Sequence, residues 1–292
     1  MKKNKMKKIT IYALLFALLI LNLYANAQSD TNTTSFKVEQ TGQGETAIVF
    51  IPGFACSGDV WDSTIIKFEN KFTCYTLTMP GFAGVPAQSE PTFNAWKNEI
   101  ANFIKSRKLQ HTILVGHSMG GGLAMSIAAD YPELISKIVI VDALPCLSAL
   151  MNPNFKSVEN IDCSTTIQQM TSTTNDQFYR MQKLTMKQLV ADTTKQKVAL
   201  NWSMQSDRKT FAKMYCDFTN TDLREKIKNI SCPTLVLLEP SFKDLKPEIE
   251  AQYKLLKNVQ FAYANKGLHF IMYDDFSWYI NQLESFINKT TL

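Results

Sequence analysis

The chain has 292 residues, 45% hydrophobic and 20% charged. This is ordinary globular composition, long enough for one large domain or one domain with an insertion, with no low-complexity run or repeat. The formal net charge is +5. Lys2, Lys3, Lys5, Lys7 and Lys8 supply that excess, and the rest of the chain carries as many acidic as basic side chains. The basic balance therefore gives no reason to expect a nucleic-acid partner.

These lysines precede an apolar run, Ile9–Leu23, and then Ala25-Asn26-Ala27. A basic region, a short apolar region and an A-x-A site predict a secretory signal peptide over 1–27, cleaved after Ala27. The run is short for a membrane span of ~20 residues, no cysteine follows the cleavage site, and no later stretch is long enough to cross a membrane. The mature protein is expected to be secreted or periplasmic, without a stable membrane span.

After a polar tether, Ser35–Glu39 alternates like a strand. Gly42 and Gly44 predict a hairpin turn into a second strand, Thr46–Ile51, which Pro52-Gly53 ends. The Gly42-x-Gly44 spacing lacks a third glycine and a following helix, so it is not read as a phosphate loop. Val60, Trp61, Ile65, Phe68 and Phe72 have helical spacing over 60–72. Thr73–Met79 reads as a strand, Phe93–Leu109 as an amphipathic helix, and Thr112–Val115 as another strand.

That last strand runs into Gly116-His117-Ser118-Met119-Gly120-Gly121-Gly122. An apolar run, then G-x-S-x-G, then a helical pattern rich in small residues (Met119–Tyr131) is the pattern of a nucleophile elbow. In such a turn the serine is held in a strained backbone conformation, and side chains in place of Gly116 and Gly120 would collide. Ser118 is the candidate nucleophile.

Ile135–Val141 is the next strand, ended by Asp142. The alternation then breaks. From about 147 to 220 the chain is polar, helical and rich in methionine. Pro233–Leu238 (strand), Pro247–Leu256 (helix), Val259–Ala264 (strand) and Asp275–Ile287 (helix) complete it. This order predicts an α/β fold, a mostly parallel sheet with helices on both faces. The core would comprise 28–146 and 223–292, with an inserted helical cap over 147–222, above the strand ends where such sheets carry their sites.

A serine needs a base. His117 adjoins Ser118 on the elbow and cannot reach back to it, and His111 lies at the far end of the same strand. His269, in the loop after the last strand, remains. The base needs a carboxylate to hold its tautomer. Asp142 is fixed at a strand end and Asp244 lies in the loop after Leu238, with Glu239 nearby. Asp142 and Asp244 both give the order Ser, acid, His; Asp142 is favoured, Asp244 stays a candidate, and Glu239 ranks below them. Oxyanion donors are expected at the backbone amides of Met119 and Phe54. Cys56 reads as a small buried residue, since no histidine is left to activate it. The six cysteines suggest buried thiols with one or two bridges, and no spacing fits a structural zinc site or calls for a cofactor.

Five pieces carry a resemblance: Pro52-Gly53-Phe54, Met79-Pro80-Gly81-Phe82-Ala83-Gly84, the elbow, Thr221-Asp222-Leu223-Arg224 leading to Cys232-Pro233-Thr234-Leu235, and Gly267-Leu268-His269-Phe270. In this order and spacing the chain resembles the α/β-hydrolase superfamily over nearly all of its mature length. The resemblance implies an acyl-enzyme mechanism on a small-molecule substrate, most simply a carboxylic ester. An amide, lactone or carbon–carbon bond, or a non-catalytic binding protein on the same fold, is the alternative. The family usually places glycine and then the acid after the strand that here ends at Leu238, whereas this chain reads Glu239-Pro240-Ser241-Phe242-Lys243-Asp244. Some branches carry the acid after the earlier strand, which adds weight to Asp142. The absence of H-G-G-G argues against the hormone-sensitive-lipase branch, and a serine at the elbow argues against dehalogenase and epoxide-hydrolase chemistry. The methionines and aromatics of the cap suggest a substrate with an apolar part.

Overall fold

The computed structural model describes residues 34–289; the expected leader and its cleavage site lie outside them. Seven strands form one sheet: β1 (Lys37–Thr41), β2 (Ala47–Ile51), β3 (Thr73–Thr78), β4 (Thr112–His117), β5 (Ile135–Val141), β6 (Thr234–Leu238) and β7 (Val259–Tyr263). Their order is β1-β3-β2-β4-β5-β6-β7. β1 runs antiparallel to β3 and every other pairing is parallel.

The central strands read as continuous apolar runs because both faces are covered. Ile48, Phe50, Val115, Val139 and Leu237 point to one face, under Trp61, Tyr279 and Leu283. Val49, Ile51, Leu114, Ile140 and Val236 point to the other, under Trp96, Leu123 and Ile249. The covering helices include α1 (Phe93–Ser106), whose N-terminus is capped by the Thr92 hydroxyl accepting from the Ala95 amide, and α2 (Met119–Asp130), buried along Met119–Ala129. Between β5 and β6 come α3 (Ser164–Ser172), α4 (Asn175–Leu189), α5 (Thr193–Met204) and α6 (Arg208–Thr219). Helices α7 (Lys246–Gln252) and α8 (Phe276–Ile287) complete the fold.

Two local expectations fail. Gly42 and Gly44 do not turn a hairpin. β1 pairs with β3 rather than β2, and the glycines let the link pass against the backbone of residues 69–72, where a Cβ would strike the Phe72 and Lys71 carbonyls. Val60–Phe72 is not one helix. It is a helical turn at Gly58–Trp61, another at Asp62–Ile65, and a run of tight turns in which Lys67, Phe68 and Lys71 each donate to the carbonyl three residues back. Successive turns bury Trp61, Ile65 and Phe68 as well as a helix would, so the apolar spacing was ambiguous.

One disulfide, Cys163–Cys216, ties the start of α3 to α6. Cys56, Cys74, Cys146 and Cys232 are buried thiols. Among the described residues no helix is long and apolar enough to cross a membrane.

Candidate active site

Ser118 sits between β4 and α2 with φ 52° and ψ −121°. A non-glycine residue held there is strained, and such strain collects at functional sites. The turn closes because nothing but glycine fits around it. A Cβ on Gly116 would run into the Gly120 carbonyl, one on Gly120 into the Ile51 and Pro52 carbonyls, and one on Gly53 would lie 2.7 Å from His117 Nδ1. The Ser118 amide donates to the Val141 carbonyl at 2.9 Å, which fixes the elbow to the end of β5.

Asp142 follows at that same strand end, also at positive φ (48°), with its amide donating to the Leu237 carbonyl at 2.7 Å. Its side chain is 1% exposed and meets His269, 23% exposed: Oδ2 lies 2.6 Å from Nδ1. The other oxygen, Oδ1, accepts the Glu239 amide at 2.7 Å. A carboxylate fixed on both oxygens selects the His269 tautomer with its proton on Nδ1 and leaves Nε2 free to take one. Asp244 stands elsewhere. It ends the turn Pro240–Lys243, its side chain is exposed, and it does not line the cavity described below. Of the two aspartates, the one whose carboxylate meets the histidine is Asp142. The Glu239 carboxyl instead accepts the Ser241 hydroxyl at 2.7 Å, and its pKa is raised, first by burial and then by the negative charge of Asp142.

Ser118, Asp142 and His269 line one cavity of about 550 Å³. Among the described residues no hydrogen bond joins the Ser118 hydroxyl to His269; unliganded sites commonly hold this pair loosely. Phe54 and Met119 flank the serine. The Met119 amide opens α2 and has no intrahelical acceptor. The Phe54 amide likewise donates to no described residue, and its ring is wedged among Phe82, Phe211 and Tyr215 at centroid distances of 5.1, 4.5 and 5.8 Å. Two unpaired backbone donors beside a serine suit a developing oxyanion.

Cys56 also lines the cavity, but burial pushes its thiol up to about 12, so it is not a thiolate. His111 is exposed before β4, at the opposite end of that strand from the elbow.

Two positioning groups carry no sequence signal. His117 is buried, and its Nε2–H donates to the His269 carbonyl at 3.0 Å, with ring centroids 4.6 Å apart. Burial, and then the neighbouring His269, hold its pKa well below the usual histidine range, so it is neutral. Asp274 accepts from the Leu268 amide at 2.9 Å and from Ala191 and Asp192 between α4 and α5 at 3.0 to 3.1 Å. The Phe270 amide adds a bond to the Leu189 carbonyl at 3.1 Å. The histidine loop is thus pinned to the helices above it.

Helices α3–α6 supply much of the cavity wall, including Met170, Met181, Met186, Leu189, Phe211 and Phe218. They are anchored to the core at further points: the Asp207 amide donates to the Gly81 carbonyl, the Phe93 amide to Asp217 Oδ2, and the Ala83 amide to the Ser206 hydroxyl.

A family model described as alpha/beta hydrolase fold matches residues 46–276. The chain is 27% identical over 195 residues, covering 66% of it and 74% of the relative, to a pimeloyl-[acyl-carrier protein] methyl ester esterase of Wigglesworthia glossinidia brevipalpis. Its fold is similar to that of an esterase from Exiguobacterium antarcticum, with TM-score 0.72 and 16% identity over 87% of this chain and 96% of that one. It is similar also to that of an enol-lactonase from Burkholderia xenovorans LB400, with TM-score 0.72 and 11% identity over 87% and 96%.

Proposed function

Because the chain belongs to the alpha/beta hydrolase fold family, we propose that it is an exported serine hydrolase that cleaves a carboxylic ester through an acyl-enzyme at Ser118. The observation that carries this reading is the 2.6 Å pairing of His269 Nδ1 with Asp142 Oδ2 on a cavity that the strained Ser118 also lines. His269 Nε2 takes the Ser118 proton as Oγ attacks the ester carbonyl. The Met119 and Phe54 amides receive the oxyanion. The tetrahedral species collapses, and His269 returns the proton to the departing alcohol. Water then attacks the acyl-enzyme, giving its proton to His269, which passes it to Ser118 Oγ as that oxygen departs and the carboxylic acid is released. Asp142 stabilises the imidazolium at each stage. The substrate is a small molecule with an apolar part, matching the methionine and aromatic wall.

Export rests on the leader-like residues 1–27 and is supported by the Cys163–Cys216 bridge, since such bridges persist in oxidising compartments. N-terminal sequencing of the protein recovered outside the cytoplasm is expected to start at Gln28. For the chemistry, a fluorophosphonate is expected to label the mature protein and not Ser118→Ala. Turnover of a panel of short and medium-chain esters should disappear with the label. Ester turnover that survives the substitution removes Ser118 from the mechanism. Labelling with no ester turned over, but an amide or lactone cleaved, would change the bond and keep the machinery.

A further inference from the structure

Away from Ser118, Asp142 and the two histidines, the cavity wall is mostly apolar, with Gln182, Thr185, Ser203 and Tyr215 as its polar side chains among the described residues. Gln182 on α4 is only 6% exposed and lines the cavity, yet its side-chain amide makes no hydrogen bond with any described residue. Ser203, on α5, is 2% exposed, lines the same cavity, and its hydroxyl is likewise unpaired. Thr185 lies one turn beyond Gln182; its hydroxyl donates to the Met181 carbonyl at 3.1 Å and keeps its lone pairs. Met186 and Leu189 are the apolar neighbours on the same helix.

A glutamine kept only to pack helices would spend its amide on a neighbour, as Gln177 does in capping α4 and Gln196 does on the Val190 carbonyl. The Gln182 amide instead faces the cavity, where a ligand group can meet both its carbonyl and its NH2. The charge of that group is also constrained. Among the described residues no lysine, arginine or glutamate lines the cavity, and the carboxylate there is that of Asp142. A carboxylate or phosphate tail would enter without a counter-charge, and an ammonium would be stranded among methionines and phenylalanines.

We propose that Gln182, with Thr185 on the same helix and Ser203 on α5 lining the same cavity, is a recognition site for a second, uncharged hydrogen-bonding group of the substrate, an amide above all. The substrate is then an ester whose chain is apolar but carries a neutral polar group where it meets α4 and α5. This rests on the ester reading above for the reacting bond but not for the binding site.

The test uses matched methyl esters: N-acetyl-ω-amino acids of increasing chain length, n-alkanoic acids of equal length, and the corresponding dicarboxylic acids esterified at one end. Binding to mature protein carrying Ser118→Ala is measured by calorimetry, with and without Gln182→Met, which keeps length and buries well. At one chain length the affinity ratio of amide to alkyl ester is expected to fall about tenfold on Gln182→Met, the worth of ~1.4 kcal/mol, and the half-acid ester is expected to bind weakest of the three. Ser203→Ala, a second variant that stands if the first melts, is expected to lower the same ratio. A ratio that stays within about twofold at every chain length in whichever variants fold overturns the proposal, as does tight binding of the half-acid or no binding of any ester. Active protein with wild-type Ser118 separates the two readings. A Gln182-dependent ratio with no hydrolysis keeps the site and loses the ester; hydrolysis with an unchanged ratio does the reverse.

Discussion

Asp142→Asn is the sharpest probe of the proposed mechanism. The residue has two duties: Oδ1 accepts the Glu239 amide at 2.7 Å and Oδ2 meets His269 Nδ1 at 2.6 Å. An asparagine can keep the first bond with its carbonyl oxygen, so the strand end should survive. Its NH2 then faces Nδ1 and must donate, which strips the proton from Nδ1 and places it on Nε2, the atom that should receive the serine proton. The charge that stabilises the imidazolium is lost as well. Triads elsewhere lose ~10⁴ in kcat on this change, or about 5 kcal/mol of barrier, and the same is expected here. Asp244→Asn, on an exposed side chain, is expected to stay within about twofold of wild type, as surface changes do. The assay is steady-state hydrolysis of p-nitrophenyl esters with the fluorophosphonate labelling rate beside it, and a thermal melt to show that both variants fold. A folded Asp142→Asn that keeps more than about a tenth of the activity would refute the reasoning, as would an Asp244→Asn that loses the larger share.

Gly120→Ala places a Cβ against the Ile51 and Pro52 carbonyls. Overpacking of this kind costs about 1–3 kcal/mol, so a lower melting temperature and a large loss of turnover are expected together; a melt and rate like wild type would mean that the elbow has room. His117 is neutral when folded and ordinary when unfolded, so the unfolded chain takes up a proton that the fold refuses as pH falls below ~6.5. Its contribution is complete above that pH and drains away in acid, at up to ~1.4 kcal/mol per pH unit. Denaturant titrations across pH should show a shallower acid decline in His117→Gln, and parallel curves would contradict this. Replacing both Cys163 and Cys216 by serine opens a loop of sequence separation 53 and is expected to cost ~2–4 kcal/mol. A reducing agent should lower the melting temperature of the wild type only.

The elbow was readable because its constraints are local: a strand, glycines at Gly116 and Gly120, and a helix of small residues lie within a few positions of each other. His269 could be singled out by elimination among three histidines. Which carboxylate it meets could not, because Asp142 and Asp244 both follow strands and the apolar pattern does not reveal which one the fold brings to the histidine. The β1–β3 pairing was hidden for a related reason. Two glycines between apolar segments fit a hairpin as well as a crossing link, and only the strand that comes later decides. Gln182 was invisible, since its meaning lies in what it fails to touch. His117 and Asp274 act through backbone carbonyls and amides of distant loops, and no residue-type pattern encodes that.

The Asp274 carboxylate grips the histidine loop and the α4–α5 link at once. The inward-facing residues of α4–α6 lie on a different stretch of chain from Ser118, Asp142 and His269, so they can be exchanged to suit another ligand while the elbow stays intact. At Asp274 that independence ends. A chimera that transplants the helices from a relative inherits a new pocket, but it keeps its rate only if the grafted link offers two amides to this carboxylate. For anyone reshaping the pocket, the splice points belong outside residues 189–192 and 267–274.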